Sequence, residues 1–227
     1  MQQLNTIWKR KSVDFKVLDL GLVYYTNVMD NPQKVIDLAE DVARRVEAKE
    51  HGVQTAQADG WEPWWDEHMP KPFNYRKNIF RSRDISPECY YKDEMMELGD
   101  TVFGALDRAF EHYCSIYPFA KNNIKSEELG STLLRYDGGG HLPPHQDHGI
   151  SSRVLSAVMY LNDNYDGGEI EFRQSGVKIK PEAGSIVFFP SNFLYVHEVF
   201  EVTDGSRYAM PHWYHNMAKP IMSNGQE

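Results

Sequence analysis

"RVLSAVMYLNDNYDGGEIEFRQSGVKIKPEAGSIVFFP" fills residues 153–190 and alternates short apolar runs with Asn, Asp, Gly and Pro. Runs of this length, rich in Val, Ile, Tyr and Phe and closed by turn formers, read as strands, and no helix-length segment interrupts them. The texture continues outward: "STLLRY" (131–136) and the histidine segment "HLPPHQDHG" (141–149) precede the stretch, while "LYVHEVF" (194–200) and "RYAMPHWYH" (207–215) follow it. About eight strands in roughly a hundred residues suit a two-sheet jelly roll better than any α/β pattern.

Further upstream the period changes. In "DNPQKVIDLAEDVARRVEAKEHG", Asn31 reads as an N-cap and Pro32 as the first helical residue, with Val35, Leu38, Ala39, Val42 and Val46 on one face and an end near Gly52. The charges of "EDVARRVEAKE" form i to i+4 pairs on a solvated face. A second helix is expected from about Glu94 to Ile116, with Met95, Leu98, Val102, Leu106, Ala109, Phe110 and Tyr113 at helical spacing and Pro118 beyond its end. Between the helices, Trp61, Trp64 and Trp65 sit in an irregular or short-stranded segment, where they either line a groove or pack under a loop. The expected architecture is mainly β: a double-stranded β-helix (jelly roll, cupin-like) core braced by N-terminal α-helices. It forms a single domain over 1–227, with a helical supporting region at 1–125, a catalytic core at 126–216 and a tail at 217–227.

Composition narrows the function. The 41% hydrophobic content excludes a disordered chain, and a net charge of -9 disfavours a nucleic-acid surface. The N-terminus has no apolar run suited to a secretory signal, and no stretch is long enough to span a bilayer. Cys89 and Cys114 fit neither a metal knuckle nor a disulfide framework, so both are expected as thiols in a reducing cytoplasm.

The chemistry concentrates in the histidine segment. On an extended chain His145 and Asp147 face one way while Gln146 and His148 face the other, so only the first pair can chelate together. His197 in "YVHEV", with Tyr195 and Val199 as same-face neighbours, supplies the third ligand. Two imidazoles and one carboxylate leave three positions open on an octahedral ion, as in non-heme Fe(II) oxygenases and unlike closed structural zinc sites. A dianionic chelator in those positions needs a cation for its far carboxylate. Arg207, ten residues after His197, is that candidate, with Ala209, Pro211 and Trp213 on its face and with Tyr160 and Tyr136 as hydroxyl donors. His51, His68, His112, His212 and His215 are expected as solvent-facing or hydrogen-bonded groups, His141 and His148 as structural or outer partners, and "GGG" (138–140) as a turn.

In order and spacing, "RYDGGGHLPPHQDHG", "MYLNDNYDGGEIEF", "GSIVFFPSNFLYVHEV" and "DGSRYAMPHWY" resemble the prolyl 4-hydroxylase-like 2-oxoglutarate and Fe(II)-dependent dioxygenases, over about Glu128 to His215. The resemblance implies that His145, Asp147 and His197 bind iron and that Arg207 with Tyr160 holds the distal carboxylate of 2-oxoglutarate. Tyr136 would lie near the iron-bound end, and Trp213 would wall the pocket. It implies O2-dependent C–H hydroxylation with ascorbate as reductant, most naturally of a prolyl residue in a peptide or protein. A free amino acid or small metabolite is the alternative substrate, and a metal-binding jelly-roll module the non-enzyme alternative. Pro143, Pro144 and Pro211 are expected to make strand pairing irregular where they fall.

Overall fold

The computed structural model describes residues 13–48, 61–66, 69–77, 92–126, 132–148 and 152–217. The chain opens with β1 (Asp14–Asp19), β2 (Leu22–Thr26) and α1 (Gln33–Glu47), followed by β3 (Glu62–Asp66), β4 (Met69–Lys77), α2 (Lys92–Ile116), α3 (Pro118–Asn123) and β5 (Ile124–Ser126). The strands then run β6 (Thr132–Tyr136), β7 (Leu142–His145), β8 (Arg153–Tyr160), β9 (Asp166–Gly167), β10 (Ile170–Phe172) and β11 (Val177–Ile179). Last come β12 (Ile186–Pro190), β13 (His197–Val199), β14 (Val202–Asp204) and β15 (Arg207–Asn216). A nine-stranded sheet of order β1-β2-β12-β8-β15-β6-β4-β3, with β5 also on β15, faces a four-stranded sheet of order β11-β10-β13-β7. This is the expected jelly roll with helices on its outside. The hairpin β1–β2, which extends the large sheet, is an addition to the strands expected from sequence.

Period-two alternation sorts the large sheet into two faces. Outward go Val23, Tyr25, Leu133, Leu155, Ala157, Met159, Ile186, Phe188, Met210 and Tyr214, which pack with Val35, Ala39, Val102, Leu106, Ala109 and Tyr113 of the helices. Phe188 is the hub, with Tyr25, Tyr113 and Tyr214 rings 5.4–5.9 Å away; burying such a ring contributes on the order of 2–3 kcal/mol. Inward go Leu22, Tyr24, Tyr160, Val187, Phe189 and Ala209, against Ile170, Phe172 and Ile179 of the small sheet. Among the described residues no helix is long and apolar enough to cross a membrane.

Several local expectations change. Asn31 has φ +52, a left-handed turn conformation and not that of an N-cap, and α1 begins at Gln33. The expected end near Gly52 lies outside the described residues, as do Cys89, His51 and His68. Asp41 does pair along the helix with Arg44 and Arg45. Glu40, however, leaves the solvated face and accepts from Arg135 Nη1 (3.1 Å), Trp61 Nε1 (3.2 Å) and Tyr208 Oη (2.6 Å). Trp61 is thereby a packing group under α1, with the Arg135 guanidinium 4.6 Å from its ring; Trp64 and Trp65 fall on β3.

The prolines act unevenly. The β7–β13 register shifts beside Pro143 and Pro144, as expected. Pro211 pairs in register with Val158, against expectation. On its other side, among the described residues, β15 pairs with β6 at 207–209 and with β5 at 214–216, and the missing N–H of Pro211 falls between these two stretches.

His212 is buried in the outer core, 5.0 Å from the Tyr214 ring and 6.2 Å from Phe103, and is not solvent-facing. Burial, with the nearby His215, lowers its pKa to about 4. Because the unfolded chain binds this proton near pH 6.5, the apo-protein is expected to lose about 3 kcal/mol of stability as the pH falls from 6.5 to 4, and none from this residue above 6.5. Urea titrations of wild type and His212→Leu at pH 7 and pH 4.5 check this: the variant should show the smaller pH-dependent loss.

Candidate active site

The small sheet contributes a cluster of three ligating groups. His145 ends β7, His197 begins β13, and the two are direct cross-strand partners. Asp147 follows in the bend after β7, its Oδ1 3.5 Å from His145 Nε2. One ligating atom from each of the three lies within 4.8 Å of the others, close enough to share a divalent ion. Backbone carbonyls fix the rings: His145 Nδ1 meets the Pro143 carbonyl at 2.9 Å and His197 Nδ1 the Tyr195 carbonyl at 3.0 Å. An Nδ1 that donates its proton to a carbonyl leaves Nε2 facing the cluster, and in the neutral ring that Nε2 is free to ligate.

Electrostatics favour a cation here. Burial would raise the Asp147 pKa, but His145, the nearby His197 and the Ser156 hydroxyl outweigh it and hold the carboxyl below its usual range. Burial lowers His197 to about 4, so its imidazole is neutral at physiological pH. For His145 the opposing contacts with Asp147 and the Pro143 carbonyl exceed the burial effect and raise the pKa. Phe189 and Phe172, with rings 4.7 and 5.7 Å from His197, form the apolar wall. Tyr195 packs against the cluster that holds these two rings, but not from β13. It lies in a 3-10 turn, Phe193–Tyr195, and its hydroxyl donates to the Leu20 carbonyl.

The large sheet presents the cation. Arg207 is 1% exposed, opens β15 opposite Tyr136, and lies 4.8 Å from the Tyr136 ring and 5.2 Å from that of Tyr160. Burial pushes Tyr136 up to about 12, although its hydrogen bond to Arg207 opposes the shift. Arg207 Nε, Tyr160 Oη and Tyr165 Oη are buried without a well-formed hydrogen bond. Three such groups converging on one place are costly unless a polar ligand satisfies them, and the donor set suits a carboxylate.

The surroundings hold Arg207 in place. Asn162 of the "YLN" segment accepts from Tyr208 N at 2.8 Å and donates to the Ser206 carbonyl at 2.8 Å, tying the backbone on both sides of Arg207. Gly168 has φ +65, and a Cβ there would come within 2.9 Å of Arg207 Cδ, so the second glycine of "GGE" leaves room for the guanidinium stem. Trp213 lies opposite Ser156 on the inward face, stacked under the Arg153 guanidinium at 3.8 Å.

Other histidines take the expected bland roles. His148 turns away to the Arg153 carbonyl, His141 meets the Gly139 carbonyl, His112 pairs with the Tyr25 hydroxyl and His215 with Ser152. Tyr165, Ser156 and Ser191 were not among the site residues expected from sequence. Ser156 left a signal, being the lone polar residue of "VLSAVM" and of the same parity as Tyr160.

A family model described as the 2OG-Fe(II) oxygenase superfamily matches residues 131–215. A PKHD-type hydroxylase of Prochlorococcus marinus is 39% identical over 206 residues, covering 87% of this chain and 80% of the relative. Another, from Pseudoalteromonas atlantica, is 36% identical over 105 residues, covering 40% of this chain; this chain spans less than half of that relative's length, 44%. Among solved structures, a Pseudomonas putida prolyl-4-hydroxylase superposes with a TM-score of 0.56 at 21% identity, covering 87% of this chain and 94% of that one, a likeness of fold. With a relative this similar over most of the chain, and a His, Asp and His cluster accompanied by a buried arginine, the chain belongs to the 2OG-Fe(II) oxygenase superfamily.

Proposed function

We propose that this protein is a dioxygenase that uses Fe(II), O2 and 2-oxoglutarate to hydroxylate a C–H bond, and that its substrate is a prolyl residue in a peptide or protein. The observation that carries the reading is the set of buried, unsatisfied polar atoms on Arg207, Tyr160 and Tyr165 across from the His145, Asp147 and His197 cluster. A metal-binding module without a co-substrate has no use for a buried cation in that position. The hydroxylase relatives and the prolyl hydroxylase neighbours support a peptidyl substrate, and the chain's net charge of -9 argues against nucleic acid.

His145 and His197 would hold the ion through Nε2 and Asp147 through a carboxylate oxygen. The metal, when bound, supplies dioxygen activation coupled to oxidation of 2-oxoglutarate to succinate and carbon dioxide. Arg207 and Tyr160 bind the distal carboxylate, Tyr165 adds a third donor, and Tyr136 orients the guanidinium. Phe172 and Phe189 beside His197, with Trp213 on the facing sheet, would keep water from the metal centre, so that oxidising equivalents reach the substrate.

The test is purified protein with Fe(II), ascorbate as reductant and 2-oxoglutarate, with and without proline-rich peptides. Succinate above background, with an added oxygen on a peptide, is the expected result. Succinate stimulated only by a free amino acid or metabolite would redirect the substrate assignment, and no succinate under any condition would overturn the oxygenase reading.

A further inference from the structure

We infer that Ser156 and Ser191 are positioning residues that hold Asp147 as a one-oxygen ligand, through a directed chain of hydroxyls running from β12 across β8 to the carboxylate. The inference rests on the metal-centre reading above and deepens it.

Ser156 Oγ donates to Asp147 Oδ2 at 2.6 Å and lies 2.8 Å from Ser191 Oγ. A hydroxyl has one proton, and that of Ser156 is committed to the carboxylate; the Ser156–Ser191 contact is therefore a donation from Ser191. Ser156 is 0% exposed in the middle of the large sheet, flanked in register by Phe189 and Trp213, and Ser191, just past the end of β12, is 1% exposed. Hydroxyls sunk this deep stabilise nothing by burial, and an apolar side chain would serve packing better. Their contribution is geometric. With Oδ2 held by Ser156, the oxygen left toward His145 Nε2 is Oδ1, so Asp147 offers the ion a single oxygen and does not consume a second coordination position.

Ser191 is itself fixed from both sides. Its carbonyl accepts from His148 N at 2.9 Å, next to the ligand bend, and its N–H donates to the Val154 carbonyl at 3.2 Å, two residues before Ser156. The ligand bend, β8 and the end of β12 are thereby linked to one another. Without the chain the carboxylate could rotate or chelate through both oxygens.

Co(II) titration of the apo-protein, followed by its visible absorption, tests this without turnover. Wild type is expected to bind one Co(II). Ser156→Ala should bind it 10–100-fold more weakly, the range for loss of an outer hydrogen-bond partner of a ligand, with a changed absorption band and unaltered circular dichroism. Ser191→Ala, which keeps the Ser156 donor but loses its orientation, should fall between the two. A folded Ser156→Ala with wild-type affinity and spectrum overturns the inference. If Ser156→Ala does not fold, Ser191→Ala decides by the same criterion, wild-type affinity and spectrum overturning it. Failure of the wild type to bind Co(II) would sink the metal-centre reading instead, a distinguishable outcome.

Discussion

Asp147→Ala should yield no succinate above background and weaken divalent-metal binding by more than about 100-fold, beyond the upper end of what losing an outer partner costs. The carboxylate is the one anionic member of the cluster, so its loss leaves two neutral imidazoles facing a dication. The other ligands do not compensate, because carbonyls fix the Nδ1 atoms of His145 and His197 and the cross-strand pairing of those residues sets how far the rings can move. His145→Ala is expected to behave alike. The fold should survive both changes, since the site lies on the small sheet, away from the Phe188 core. Circular dichroism separates a lost ligand from a lost structure, and wild-type succinate production by either variant would remove the assignment of these residues.

The strands that build this site were legible because each buries one face. "LLRY", "VLSAVMY" and "RYAMPHWY" alternate as the large sheet requires, and that parity places Tyr136, Tyr160, Arg207 and Trp213 on the inward side. The H-x-D pair was reached by the same rule, although β7 stops at His145 and Asp147 lies in the bend beyond it, where the period of two no longer applies. β1 was not legible: its residues are mostly exposed, with Phe15 and Val17 about half exposed, and an edge strand without a buried face carries no clean hydrophobic alternation. Tyr195 was misplaced because the chain enters β13 from a 3-10 turn, which breaks the period of two just before His197. Glu40 and Ser156 show a third limit. One partner of Glu40, Arg135, lies 95 residues away, and Ser191 lies 35 residues from Ser156, so neither contact has a local spacing to betray it.

Arg207→Met should move stability and co-substrate binding in opposite directions. In the free protein the guanidinium is almost fully buried with an unsatisfied Nε, an arrangement that costs stability even with two aromatic rings beside it. Methionine roughly conserves the volume, avoids the cavity that alanine would leave and removes the buried charge, so the apo-variant is expected to melt at or above the wild-type temperature. The same change deletes the charge proposed to hold the distal carboxylate. Losing a charge-assisted, paired contact costs about 3 kcal/mol, which corresponds to a KM for 2-oxoglutarate raised about 100-fold. Turnover at saturating co-substrate should fall much less, because the metal ligands are untouched. Thermal shift provides the cross-check: 2-oxoglutarate with a redox-inert divalent ion should raise the melting temperature of wild type and leave that of Arg207→Met nearly unchanged. A variant that loses apo-stability and keeps its KM would mean that Arg207 serves the fold and not the co-substrate.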